Sequence, residues 1–271
     1  MRFTTPIAIV ASMLALNANT VQAWGAVGHT LTGQIAQQYL TSTTTSVVNT
    51  LLSDYEGLLG NVASWADKVR FLSQYKWATP LHFFDPQNDN PPEHCEAQYV
   101  YGGQDSVNAL FNMTSQLVKY KKTPPKTTAA TKHQEEVLKF FVHWMGDIHQ
   151  PLHDSTPLRG GNDAPIKWGK KKSNLHSMWD TLIITAYLDD TLNLAKTYWK
   201  DVSTWTVCDP SLLQKNPWSD VVDSVKTLCP IEWASTTNTL DCSYVWVDYS
   251  STRDYSTDYF QNVTGKSSNY L

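Results

Sequence analysis

Cysteine is scarce in this chain, with four in 271 residues, and no two of them stand at CxxC spacing. A zinc–thiolate knuckle and a cysteine-rich scaffold are therefore excluded. Charge is sparse as well, at 17% of residues, and neither sign dominates: 21 Lys+Arg against 25 Asp+Glu leave a formal net charge of −4. That balance disfavours a protein that grips duplex DNA through a basic face. It leaves open local binding of nucleic acid through bases and metal ions. No stretch is long and apolar enough to span a bilayer. There is no internal repeat, and the composition excludes disorder, a collagen period and a coiled coil. Aromatic residues are plentiful, at 12% with 11 Trp, and 41% of the chain is hydrophobic. That is enough to build a sizeable core.

Residues 1–23 read as a secretory signal. Arg2 supplies the positive start, Ile7 to Leu16 the short apolar run, and Val21-Gln22-Ala23 a small-x-Ala cleavage site. Cleavage after Ala23 would make Trp24 the mature N-terminus and residues 24–271 the mature domain. In an oxidising compartment the four cysteines (Cys95, Cys208, Cys229 and Cys242) fit two disulfides, for which the sequence alone leaves three pairings open. Asn112-Met113-Thr114 and Asn262-Val263-Thr264 are glycosylation sequons.

The dominant hydrophobic period is helical. Leu31, Ile35 and Tyr39 share a face, as do Val62, Trp65, Val69 and Leu72, which predict one continuous helix. Val107 to Val118 and Val137 to Ile148 predict two longer ones, the second stopped by Pro151. The proline-rich stretch 77–103 reads as an irregular loop, Ile166 to Trp168 as a short strand, and 175–188, 190–204 and 218–240 as helices. The expected fold is one mainly α domain with long functional loops and little β structure.

The chemistry lies in histidine and aspartate. His143 and Asp147 are four residues apart and so on one helix face, and His176 and Asp180 repeat that geometry. His153 follows Pro151; Asp67, His82 and His29 lie upstream. Imidazole and carboxylate ligands without thiolate suit zinc with open coordination positions. Two such pairs on separate helices predict a multinuclear site between helices.

The wording around these residues is specific. It runs Trp24-Gly25-Ala26-Val27-Gly28-His29, then Ser64-Trp65-Ala66-Asp67, Leu81-His82-Phe83, and Phe141-Val142-His143-Trp144-Met145-Gly146-Asp147-Ile148-His149-Gln150-Pro151-Leu152-His153. Gly160-Gly161-Asn162 and Asn174-Leu175-His176-Ser177-Met178-Trp179-Asp180 follow. In this order the chain resembles the secreted zinc-dependent single-strand nucleases of fungi and plants, the nuclease S-one/P-one family, over roughly residues 24–245.

The resemblance implies the phospholipase C/nuclease P-one-type fold and three Zn2+ held by nine residues. Asp67, His82, His143 and Asp147 would hold the first. Trp24, through its α-amine and carbonyl oxygen, would join His29 and the bridging Asp147 on the second. His153, His176 and Asp180 would hold the third. It further implies a secreted monomer that cleaves single-stranded DNA and RNA to 5′-phosphorylated products and removes phosphate from 3′-mononucleotides. Asp67, Asn162 and Arg70 match catalytic positions, the last two against the phosphate. Phe83 matches the ring that stacks on a base, and Asp85 the carboxylate on the base edge. Cys95 and Cys242 match a long-range disulfide, which leaves Cys208 to Cys229. His94, His133 and His149 match no ligand position, although His149 lies beside the cluster in sequence and is a candidate supporting residue. Arg159 departs from the apolar residue common in fungal relatives, and residues 254–271 read as a shortened or disordered tail. Bacterial zinc phospholipases C share the fold and a similar site; Phe83, Asp85, Cys95 and Cys242 favour the nuclease over them. Retention of all nine ligand positions and Asn162 disfavours an inactive zinc-binding relative.

Overall fold

The structure is a computed structural model that describes residues 24–100, 102–122, 127–186, 225, 228–257 and 259. The signal segment 1–23, Cys208, Asn262, the helix expected over 190–204, and residues 218–224, 226 and 227 of the one expected over 218–240 lie outside the described residues. The described chain is mainly helical, as expected, with one two-stranded antiparallel sheet among the described residues. Among these residues no helix is long and apolar enough to cross a membrane.

Helix α1 (Ala26–Gln38) leads into α2 (Ser42–Leu51), whose start is capped by Thr41 Oγ1 accepting from Thr44 N at 3.2 Å. The single helix expected through Val62 and Leu72 is instead two short ones, α3 (Leu59–Val62) and α4 (Trp65–Val69). The chain then leaves the helix, and Leu72 ends up 49% exposed. The first residues of the expected loop form a 3-10 stretch, Ser73–His82, and the remainder is irregular as anticipated.

The two long helices behave as their periodicity predicts. In α5 (Ser106–Lys122) and α6 (Thr128–Asp147), Val107, Leu110 and Phe111 pack with Val137, Phe140 and Trp144 in the main core. Trp144 is fully buried. Truncating a ring so placed costs about 3–5 kcal/mol, so α6 holds its polar face against α1 and α4 rigidly. Beyond Pro151 the chain forms strands β1 (Pro165–Trp168) and β2 (Lys171–Asn174), in the register Ile166↔Ser173 and Lys167↔Lys172. Strand β2 had no counterpart in the sequence reading, because KKSN lacks an alternating apolar face.

Asn174 Oδ1 accepts from Ser177 N and starts α7 (Leu175–Ser177). This runs through a π-helical stretch, Met178–Leu182, into α8 (Ile183–Ala186). Helix α9 (Pro230–Leu240) continues into a second π-helical stretch, Asp241–Val245. Cys242, in that stretch, is bonded to Cys95, which fastens the irregular loop to the C-terminal helix. Cys229 is disulfide-bonded as well. Tyr255 and Tyr259 are buried in a second core with Ile166, Met178 and Trp179.

Candidate metal centre

Six segments deliver side chains to one buried region. Helix α1 brings His29, α4 brings Asp67, the end of the 3-10 stretch brings His82, and α6 brings His143 and Asp147. The turn after Pro151 brings His153, and the α7 segment brings His176 and Asp180. All eight are buried. Their ligand atoms fall into three groups: His29, His143 and Asp147; Asp67, His82 and His143; His153, His176 and Asp180.

The two oxygens of Asp147 face different partners. Oδ1 is 3.3 Å from His29 Nε2, whereas Oδ2 is 3.1 Å from His82 Nδ1 and 3.3 Å from His143 Nε2. Asp67 Oδ1 lies 3.8 Å from His82 Nδ1 and from His143 Nε2, and its Oδ2 lies 4.0 Å from His29 Nε2. In the third group His176 Nε2 is 3.2 Å and His153 Nε2 3.9 Å from the two oxygens of Asp180. A 4.0 Å approach of His153 Nδ1 to Asp147 Oδ1 links this group to the others.

Backbone carbonyls aim the rings. His143 Nδ1 donates to Ala63 O, His153 Nδ1 to His82 O and His176 Nδ1 to Gly160 O, each at 2.6 Å. Each bond places the proton on Nδ1 and leaves Nε2 as a lone pair pointing into the cluster, the arrangement that metal-ligating histidines require. The break between α3 and α4 has its reason here. In a continuous helix Ala63 O would be bonded four residues on; at the break it is free to accept from His143.

Gly146 is equally local in purpose, because a Cβ there would lie 2.9 Å from His29 Nδ1. Trp24 is held beside the cluster, its Nε1 donating to Gly146 O at 2.7 Å and the next residue's Gly25 N donating to Asp180 O at 2.7 Å.

The donor set fits metal ions. His29 Nδ1 and Nε2, His82 Nε2, His153 Nε2, His176 Nε2 and both oxygens of Asp67 and Asp147 are buried without a hydrogen-bond partner among the described residues. Unpartnered buried polar atoms on this scale are not tolerated in ordinary cores. Burial, reinforced by neighbouring cationic rings, pushes the His29, His82 and His153 pKa values well below the usual imidazole range. Burial lowers His176 to about 4. It raises Asp67 to about 6, and Asp147 and Asp180 well above the usual carboxylate range. Neutral imidazoles and carboxylates starved of positive charge are what a cluster of divalent cations satisfies.

Arg70 is not a solvated helix residue. It is buried, its Nη1 is 3.4 Å from Asp67 Oδ1, and its guanidinium lies 5.0 Å over the Phe71 ring. Asn162 closes a turn in which Leu158, Arg159, Gly160 and Gly161 all have left-handed φ, from 48° to 76°. Such a run is costly for the two non-glycine residues and is typical of a functional turn. It docks through His176 N donating to Gly161 O at 3.2 Å. Asn162 Nδ2 donates to Arg159 O at 2.8 Å, and its Oδ1 is buried and unpartnered.

Phe83 follows His82 with its ring 39% exposed, and Asp85 is exposed two residues on. Arg159 points outward and pairs with Asp163 at 3.3 Å. His149 does not support the cluster: it is exposed, donates back to Met145 O at 2.7 Å and packs on Trp233. His133 and His94 are exposed on Gln116 and Glu96. The residue that does the work expected of His149 is its neighbour. Gln150 is fully buried, its Nε2 donates to Asp180 Oδ1 at 2.6 Å, and its Oε1 accepts from Leu152 N. Its only trace in the sequence is a polar residue wedged between two ligand positions.

The comparisons agree with this geometry. The S1/P1 Nuclease family profile matches residues 24–268. The chain is similar to Nuclease S1 of Aspergillus oryzae, at 34% identity over 261 residues, covering 93% of this chain and 88% of that one. It is similar to Endonuclease 2 of Arabidopsis thaliana, at 33% identity over 252 residues, covering 83% and 81%. It is similar to Nuclease P1 of Penicillium citrinum, at 31% identity over 234 residues, covering 82% of each. With a buried His/Asp centre and a profile match that spans it, this chain belongs to the S1/P1 nuclease family.

Proposed function

We propose that the chain is a secreted zinc-dependent nuclease that hydrolyses single-stranded DNA and RNA to 5′-phosphorylated products and acts on 3′-mononucleotides. The observation that carries this reading is the split of Asp147, with one oxygen toward His29 and the other toward His82 and His143. A carboxylate so placed suits two cations side by side, and His153, His176 and Asp180 suit a third. Trp24, whose Nε1 is anchored on Gly146 O, would offer its α-amine and carbonyl oxygen to the cation at His29 once residues 1–23 are removed. Zinc bound at these groups supplies Lewis acidity toward phosphoryl oxygens and lowers the pKa of water toward neutrality.

The protein's own groups account for the rest. Asp67 orients the attacking water and takes up its proton at a carboxylate oxygen. Arg70, held on Asp67, offers a guanidinium to the scissile phosphate. Asn162 contacts the same phosphate as charge builds in the transition state. The Phe83 ring stacks on a base and Asp85 accepts from its edge. A duplex hides both the base face and that edge, so single strands are preferred, and stacking tolerates every base.

Incubation of the form beginning at Trp24 with single-stranded DNA, RNA and phosphatidylcholine tests the assignment. It predicts 5′-mononucleotides whose release stops on chelation; choline phosphate with intact nucleic acid would contradict it. Asn162→Ala is expected to keep its zinc and lose about 10²–10³-fold in kcat, the scale of one transition-state donor. Unchanged kcat, with zinc content measured alongside, would remove Asn162 from the mechanism. One extra residue ahead of Trp24 is expected to lower zinc content and activity together. Full occupancy and turnover in that variant would contradict a ligand role for the Trp24 α-amine.

A further inference from the structure

Asn162 and His176 are joined by the β1–β2 hairpin, which carries the densest positive charge in the chain. Lys167, Lys170, Lys171 and Lys172 are all exposed, in a protein whose formal net charge is −4. Lys167 and Lys172 are directly opposite in the register, so their ammonium groups share one face. Like charges in that relation disfavour the hairpin. None of the four lysines forms an ion pair among the described residues. Asp254 lies beside Lys167 and attracts it, its Oδ1 also accepting from Gly169 N at 2.8 Å and from Ser256, so the charge left over is that of Lys170, Lys171 and Lys172.

Folding does not need this charge. Buried Ile166 and backbone bonds from Lys167 N to Arg253 O and from Tyr255 N to Lys167 O hold the hairpin down. Both of its ends are fixed to the centre, through Leu175 N donating to Ala164 O and His176 N to Gly161 O. At about 3.3 Å per residue, Lys172 and Lys171 stand within roughly 13–17 Å of His176 along the chain. A strand whose scissile phosphate is at the centre carries neighbouring phosphates that far.

We propose that the β1–β2 hairpin is a second docking surface for the phosphate backbone of the polynucleotide, outside the scissile site. The occupant rests on the nuclease reading above and on charge complementarity: a regular polyanion meets Lys170, Lys171 and Lys172, which form no ion pair among the described residues, with Lys167 beside them. Because these contacts carry no base information, the surface favours long strands over short ones without adding sequence preference.

The test combines Lys170→Gln, Lys171→Gln and Lys172→Gln in the zinc-loaded protein. Fluorescence anisotropy follows binding of a labelled single strand of about 30 nucleotides with phosphorothioate linkages, and a dinucleotide assay follows turnover. The triple variant is expected to bind the long strand about tenfold more weakly at low salt. Its log K against log salt slope should be shallower by about 2, at about 0.7 per lost phosphate contact on a single strand. Dinucleotide kcat/KM should be unchanged. Equal affinity and slope in variant and parent would overturn the hairpin's role, as would an equal loss on dinucleotide. A parent that fails to cleave dinucleotide contradicts the nuclease reading instead, and the anisotropy still decides the hairpin.

Discussion

Asp147→Asn is expected to reduce hydrolysis by on the order of 10⁴-fold, the scale seen when one member of an interdependent catalytic group is removed, while raising the stability of the metal-free protein. The two effects share one cause. Asp147 is fully buried, and neither of its oxygens has a hydrogen-bond partner. Burial raises its pKa well above the usual range. A raised carboxylate pKa contributes stability only at low pH, and that contribution is lost as pH rises through the folded-state value. At neutral pH without metal, the ionised carboxylate therefore costs folding free energy. Asparagine removes the charge at nearly constant shape, and with it the cost of burying an ionised carboxylate that lacks a hydrogen-bond partner. With metal the sign reverses, because an amide cannot serve two cations as a carboxylate does. Calorimetry with and without zinc, beside a turnover assay, checks both halves. A variant that is less stable metal-free, or that retains activity, would show that Asp147 is structural.

Removing the metal from the parent protein is expected to lower Tm by at least about 8–16 °C, the contribution of one filled site, and to abolish turnover. A ligand at about a thousand times its Kd stabilises the fold by about 4 kcal/mol per site, and a domain of this size shifts by about 2–4 °C per kcal/mol. The effect should be large because three elements that barely pack on one another meet at the cluster: α1 through His29, α4 through Asp67 and the Pro151 turn through His153. Without cations they bring together unpartnered imidazole nitrogens and carboxylate oxygens. Thermal scans with and without chelator, followed by zinc add-back, make the comparison. An unchanged Tm would mean that packing alone holds the cluster.

The part of this centre that could be read in advance is the part set by local geometry. His143 and Asp147 on α6 meet at 3.3 Å because four residues make about one helical turn. His176 and Asp180 meet at 3.2 Å although their segment passes from α-helix into a π-helical stretch, so the spacing was informative where the helix type was not. The motif wording added His29, His82, His153 and Asp67 through resemblance; periodicity alone is silent about them. The break at Ala63 and Ser64 went unread because the apolar pattern runs unbroken through Val62, Trp65 and Val69. What decides the break is a carbonyl needed by His143, eighty residues later in the chain. Gln150 was passed over for the same reason, since its partner Asp180 lies thirty residues away. Strand β2 was hidden because its pairing serves the approach to His176 rather than a buried face.

The most direct test is stoichiometric. Metal-free protein beginning at Trp24 is titrated with zinc while single-strand hydrolysis and zinc content are followed together. The account predicts that activity appears only as the paired groups around Asp147 and the group around Asp180 fill, and that it saturates at three zinc ions per chain. Full activity at one equivalent, or hydrolysis in the metal-free protein, would contradict it.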